Sequence, residues 1–317
     1  MHVFFICNGY HYFFCRQIIE YLEIKDPVFI CKFNPVREQG LLKRIKKENS
    51  VVIDYAIINQ SLKPNIFRPQ RAVRKIIKQL RLEGEEIEFY APYYRNRRVN
   101  YFISALQHRA SSVSFNMFPD SINLLVEENV IRKVGRKYAK NFVARMGYTE
   151  PGEDQPYSSL ISKVYHYDAP YIHAPKNKLV IIPTRVAVEG KAVSEKMLLI
   201  GGALGANEKL LKAARKIHKS EIIYKPHPVK ESDRKEQDII RKSEAVSLFR
   251  EDKDTSIEQV LTESPYKVVA GSFSSVLVFS KLFSPETRTV FFFDETNAKD
   301  IQWHHVAEGL GIEIIPL

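Results

Sequence analysis

Tyr224-Lys225-Pro226-His227-Pro228 and Gly271-Ser272-Phe273-Ser274-Ser275 are the two stretches that decide how this chain folds. The first closes a short apolar run, Ile222 to Tyr224, which predicts a buried strand. The second closes another, Lys267 to Ala270, and its glycine and hydroxyls open a helix over Ser274 to Leu282. Apolar strand, polar turn and helix in succession are the pattern of a parallel sheet covered by helices on both faces. Ligands of such sheets sit at the carboxyl ends of strands. Here one strand end presents an imidazole between two prolines. The other offers backbone N–H groups and hydroxyls at a helix start. Together they make a phosphate site and point to a nucleotide-activated donor.

The same rhythm extends in both directions. Strands are predicted at His2–Cys7, Pro27–Cys31, Val51–Ala56, Ile87–Tyr90 and Ser112–Asn116, with helices at Tyr12–Leu22, Val36–Glu48, Arg71–Leu82, Tyr101–Arg109 and Lys133–Arg145. A Gly- and Pro-rich break over Gly147–Tyr157 reads as a hinge. Beyond it come strands at Leu179–Ile182, Met197–Ile200, Ile222–Tyr224, Val268–Ala270 and Val290–Phe293. Helices follow at Asn207–His218, Glu231–Lys242, Ser256–Glu263, Ser274–Leu282 and Asp300–Glu308. The expectation is an α/β chain of two Rossmann-like, doubly wound domains, residues 1–155 and 156–317, facing a central cleft. A length of 317 residues suits that division.

Charge is uneven. Residues 1–150 hold 25 basic and 14 acidic residues, and the rest holds 23 of each. The whole excess of +11 therefore lies in the first half, in runs such as Lys43–Lys47, Arg68–Arg81, Arg95–Arg98 and Arg132–Lys140. Each run alone reads as a solvated helix face. Together they suggest an anionic partner, either an acceptor or a membrane surface. A nucleic-acid-binding protein is the reading from another class, with Tyr93, Tyr94 and Tyr101 among the arginines. Cys7, Cys15 and Cys31 fit no metal spacing and read as reduced, buried thiols of a cytosolic protein. No stretch approaches the ~18–20 apolar residues that span a bilayer. The first residues, Met1 to Tyr10, read as a strand and not as a signal peptide.

His227 is restricted by its flanking prolines and titrates near pH ~6.5 when unperturbed. It is a phosphate donor or an idle turn residue. Lys225 adds charge beside it. Ser272, Ser274 and Ser275 are phosphate-binding hydroxyls or helix caps. Glu258 binds ribose hydroxyls or favours a helix start electrostatically. Asp120, in Phe118-Pro119-Asp120-Ser121, is a general base or the cap of a helix over Ile122–Val126. Gly202, in Gly201-Gly202-Ala203-Leu204-Gly205, lets a nucleotide approach the backbone. Trp303, His304 and His305 read as packing or surface. No residue set has metal-ligand spacing.

These residues resemble bacterial sialyltransferases of the GT-B type. The chain is most similar to glycosyltransferase family 52, with the polysialyltransferases close behind. That pattern runs from an acidic motif in the first domain to His-Pro and then Ser-Ser/Thr; here Pro119-Asp120-Ser121 stands where two acids and a glycine are expected. The resemblance implies inverting transfer of sialic acid from CMP-sialic acid to a hydroxyl of a cell-surface glycan, lipooligosaccharide or capsule. No cofactor and no metal are implied. Asp120 would be the base and His227 the acid on the CMP phosphate, which Ser272, Ser274 and Ser275 hold. Glu258 would bind the ribose, and Lys225 and Pro228 would lie near the cytosine. Residues 1–155 would serve the acceptor and 156–317 the donor. Kdo, pseudaminic or legionaminic acid on CMP are the alternative donors. A cytoplasmic place, peripheral on the inner face of the bacterial inner membrane, completes the expectation.

Overall fold

The computed structural model describes residues 1–34, 38–62, 68–82, 84–92, 97–120, 125, 157–184, 193–202, 208–227, 234–249 and 256–317. They form two compact units: Met1–Asp168 with His173–Pro183, and Ala169–Ile172 with Thr184–Leu317.

The first unit is built on seven strands: β1 (His2–Ile6), β2 (Pro27–Cys31), β3 (Val51–Asp54), β4 (Glu86–Ala91), β5 (Ser112–Met117), β6 (Ile161–Tyr167) and β7 (Leu179–Ile182). All neighbours are parallel, in the order β3-β2-β1-β4-β5-β6-β7. Alternation along β1 sends Val3 and Phe5 to one face. There they meet Ala72, Val73, Ile76 and Ile77 of α4 (Arg68–Leu80), and Phe102, Ile103 and Leu106 of α5 (Arg97–Gln107). Phe4 goes to the other face and stacks on Tyr90 at 4.4 Å, on the side covered by α1 (Gly9–Tyr21). Between β2 and β4 in sequence lie α2 (Gln39–Glu48) and the short α3 (Tyr55–Gln60). With both faces buried, the central strands are continuous apolar runs, which is why β2 is legible as Pro-Val-Phe-Ile-Cys.

The second unit repeats the plan. Its strands are β8 (Ser194–Ile200), β9 (Ile222–Lys225), β10 (Val246–Leu248), β11 (Tyr266–Gly271), β12 (Arg288–Phe293) and β13 (Glu313–Pro316). They run in parallel in the order β10-β9-β8-β11-β12-β13. Met197 and Leu199 face Leu210, Leu211 and Ala214 of α6 (Glu208–Ile217) and Ile240 of α7 (Arg234–Lys242). Leu198 and Ile200 face Val260 and Leu261 of α8 (Ile257–Glu263), Val276 and Leu277 of α9 (Ser275–Phe283), and Ala307 of α10 (Ala298–Gly309).

The structure corrects the boundary at 155/156. Phe115 pairs with Ile161 and Val164 with Leu179, so β6 and β7 extend the first sheet, and the division falls at 168–184. A turn-rich composition ends an element, but strand pairing decides which sheet the next element joins. Strands β6, β10 and β13 were not predicted, and the segment Val51–Ala56 turns helical at Tyr55 after Asp54 accepts the Ile57 N–H. The expected helix Lys133–Arg145 and the segment Ile122–Val126 lie outside the described residues, apart from Leu125.

Strands β8 and β11 approach closely at Gly271, whose φ is +157° and whose missing Cβ would overlap the Ile200 carbonyl oxygen. A backbone oxygen in a central strand cannot move aside. Gly271→Ala is expected to cost about 1–3 kcal/mol and to lower Tm by roughly 2–4 °C for each of those, as measured by calorimetry.

Candidate active site

In the second sheet the strand order reverses at β8 and β11, where a doubly wound sheet opens to a ligand. Ile200 pairs with Lys225 on one side and with Gly271 on the other. Three strand ends therefore finish abreast: Ile200-Gly201-Gly202, Lys225-Pro226-His227 and Gly271-Ser272-Phe273-Ser274-Ser275. The outer two strands stand about 10 Å apart, twice the strand spacing. A phosphate accepting a hydrogen bond from each side fills such a lane.

The two glycines of the middle strand serve different neighbours. A Cβ at Gly201 would overlap the Tyr224 hydroxyl, which is buried and donates to Glu236 on α7. A Cβ at Gly202 would lie 2.9 Å from the Ser272 Oγ. Gly202 thus admits the Ser272 hydroxyl to the lane.

Ser274 occupies the N-cap position of α9, yet its Oγ is buried and makes no hydrogen bond. Ser256, at the same position of α8, behaves normally and accepts the Gln259 N–H at 3.2 Å. The Ser274 hydroxyl is therefore uncommitted at the start of α9, where the Leu277 N–H donates to the Ser274 carbonyl at 3.1 Å and a helix N-terminus favours an anion. Ser275 begins the helix and is half-buried, as is His227.

Glu258 is 5% exposed. Burial pushes its carboxyl up, against the opposing pull of its own backbone N–H, the Lys225 charge and Ser256. The Lys225 ammonium sits 5.7 Å from the centroid of Phe249, just beyond β10. Lys225, Phe249 and Glu258 thus gather beside the end of β9. Pro228 lies outside the described residues.

Trp303 has a more specific place than surface packing. It stacks on Phe273 at 4.9 Å, and Phe273 meets Phe291 edge-on at 5.2 Å. The serine loop is thereby pinned to α10 and β12 through an aromatic ladder.

In the first unit, Asp120 follows β5 and is 32% exposed. Its Oδ1 lies 2.8 Å from Nε2 of His11, a residue of α1 that is 1% exposed. The two are 109 positions apart, so no sequence spacing announces the pair. The local signal is Asn8, which caps α1 by accepting the His11 N–H at 2.9 Å and so turns His11 toward the strand ends. The cysteines are free; burial raises all three thiols, Cys7 to about 12. Among the described residues no cluster of His, Cys, Asp or Glu has a metal-binding arrangement.

Residues 204–292 match the family model described as Alpha-2,8-polysialyltransferase (POLYST). The fold is also that of an α/β-galactoside α-2,3-sialyltransferase from Photobacterium phosphoreum, with a TM-score of 0.59 and 11% identity over 99% of this chain and 98% of that one. The two units thus have the GT-B fold, and residues 204–292 are similar to the polysialyltransferases. Acinetobacter baumannii MurG aligns at a TM-score of 0.48 and 14% identity, over 99% of this chain and 85% of that one. No curated protein matches the sequence. The matched stretch contains Lys225, His227, Glu258, Ser272, Ser274 and Ser275. Gly202 and Asp120 fall outside it.

Trp303 is the only tryptophan in the chain and lies one ring away from the serine loop. Titration with CMP is expected to change its fluorescence saturably, and Phe273→Leu to abolish most of that change while binding persists by calorimetry.

Proposed function

We propose that this chain is a sialyltransferase that moves sialic acid from CMP-sialic acid to a hydroxyl of a cell-surface glycan, with inversion at the anomeric carbon and no metal. The observation that carries this reading is the register at Ile200, which sets the His227 turn and the serine loop on either side of one strand end, inside the stretch that matches the family. The CMP phosphate would sit in that lane. Ser272, Ser274, Ser275 and the start of α9 would donate to its oxygens, Lys225 and Glu258 would hold the nucleoside, and the Gly202 backbone would face it.

The chemistry is a single displacement. The acceptor oxygen bonds to the anomeric carbon as the bond from that carbon to the phosphate oxygen breaks. The acceptor's proton passes to Asp120, and His227 gives a proton to the departing phosphate. Positioned acids and bases contribute about 10²–10⁴-fold each. The transition state is oxocarbenium-like, as in other glycosyl transfers. The leaving group is a monoester phosphate, so one imidazole and a helix N-terminus suffice to stabilise its charge without a divalent ion.

The alternative donors, CMP-linked Kdo, pseudaminic and legionaminic acid, would present the same phosphate to the same residues. Measuring CMP release from a panel of CMP-sugars separates them. CMP at 100 times its Kd is expected to stabilise the protein by about 2.7 kcal/mol, read as a rise in Tm. Asp120→Ala is expected to lower transfer by about 10²–10⁴-fold while that rise persists, and EDTA to leave transfer unchanged. A missing Tm shift would remove the donor assignment, unchanged turnover would remove Asp120, and loss with EDTA would remove the metal-free mechanism.

One surface favours a place beside an anionic leaflet. Helix α4 contains no acidic residue, and its exposed positions include Arg71, Arg74, Lys75 and Lys78, followed by Arg81. Ile57, 58% exposed, lies on the adjoining α3. No helix among the described residues is long and apolar enough to cross a membrane. Each cation near such a surface adds about 1 kcal/mol. The protein is expected to sediment with phosphatidylserine vesicles at low salt and to be released by high salt. Replacing Arg71, Arg74, Lys75 and Lys78 with Gln should abolish the binding and leave transfer to a soluble acceptor intact.

A further inference from the structure

We infer that His11 is the positioning residue of the catalytic base: it holds Asp120 through one oxygen and leaves the other for the acceptor. The inference rests on the proposed role of Asp120, but its geometry stands alone. His11 lies behind Asp120, buried against Tyr10 and Phe118, whose ring centroids are 6.0 and 5.6 Å from the imidazole.

Both ring nitrogens have identifiable duties. The backbone N–H of Cys7 donates to Nδ1 at 3.1 Å. A backbone N–H is always a donor, so Nδ1 is the acceptor and carries no hydrogen. The hydrogen is then on Nε2, aimed at the Asp120 Oδ1 at 2.8 Å. The reverse tautomer would oppose two donors at Nδ1 and two lone pairs at Asp120. The Asn8 amide nitrogen is also near Nε2, but at 3.4 Å it is the weaker neighbour. The end of β1 therefore sets the tautomer, and the tautomer sets the carboxylate.

The consequence is directional. The terminal torsion of an aspartate is broad and roughly two-fold, so an untethered carboxylate samples many orientations. A charge-assisted bond to Oδ1 removes that freedom and fixes where Oδ2 lies. When the acceptor hydroxyl delivers its proton to Oδ2, His11 keeps its own. It is an orienting group and not a relay.

Two substitutions separate orientation from mere packing. His11→Gln can place an amide N–H where Nε2 stood but cannot also accept from Cys7. His11→Asn can accept from Cys7 but is too short to reach Asp120. The expected result is transfer within about tenfold of wild type for Gln, and kcat lowered about 10–100-fold for Asn, as for other outer-shell partners. CMP binding should be unchanged in both. Transfer by Asn equal to or better than Gln overturns the inference, and so does an equal loss in both. Should either variant fail to fold, nitrogen NMR of the wild-type imidazole decides. An unprotonated Nδ1 with a hydrogen-bonded Nε2–H upholds the assignment, and a protonated Nδ1 overturns it. If wild type transfers none of the CMP-sugars, the functional proposal fails, while the NMR measurement still judges the His11–Asp120 bond.

Discussion

Ile200 is bonded to Lys225 on one flank and to Gly271 on the other. In a parallel sheet, such pairing fixes not only which strands are neighbours but how far each one extends. Were β9 to slip by one residue against β8, each of its side chains would move to the opposite face of the sheet and the turn after it would shift with them. The alignment of an imidazole turn with a serine loop is thus a property of hydrogen-bond register. Gly201, Gly202 and Gly271 are the places where that register leaves no room for a side chain. The Tyr224–Glu236 bond and the Phe273–Trp303 stack brace the two flanks from opposite sides of the sheet.

The first unit uses the same architecture for a different task. Its sheet also reverses order, between β4 and β1, and the chain leaving β1 supplies Cys7, Asn8 and then His11. The backbone N–H of Cys7 and the side chain of Asn8 are spent on His11, which in turn is spent on Asp120. One strand end therefore orders a carboxylate that emerges from another strand, β5.

Much of this was legible in the sequence, for a physical reason. Central parallel strands are buried on both faces, so β2, β9 and β11 stand out as short apolar runs. Helices α4 and α6 declare themselves through apolar residues at helical spacing. Edge strands do not have that signature: β13 reads Glu-Ile-Ile-Pro and β10 has three residues. The boundary between units was misplaced because pairing of β5 with β6 is a long-range fact with no local mark. On the site, the His227 turn and the serine loop were visible because each is a strand end with unusual chemistry. His11 was invisible because a histidine inside an aromatic helix, Gly-Tyr-His-Tyr-Phe-Phe, looks like core until its partner is known. The uncommitted Ser274 hydroxyl was hidden for the opposite reason: a serine before a helix looks like a satisfied cap.

That serine has an implication for how the protein tolerates change. An N-cap side chain ordinarily contributes about 1 kcal/mol to its helix, and α9 forgoes it. With no bond to lose, truncation to alanine removes nothing from the resting fold, whereas the same truncation withdraws a donor from any anion seated there. A mutational scan scored by expression or heat resistance would therefore pass over residue 274 as neutral ground. Under the proposed function a scan scored by turnover would single it out, and the gap between those two rankings would map the positions kept for chemistry at the expense of rigidity.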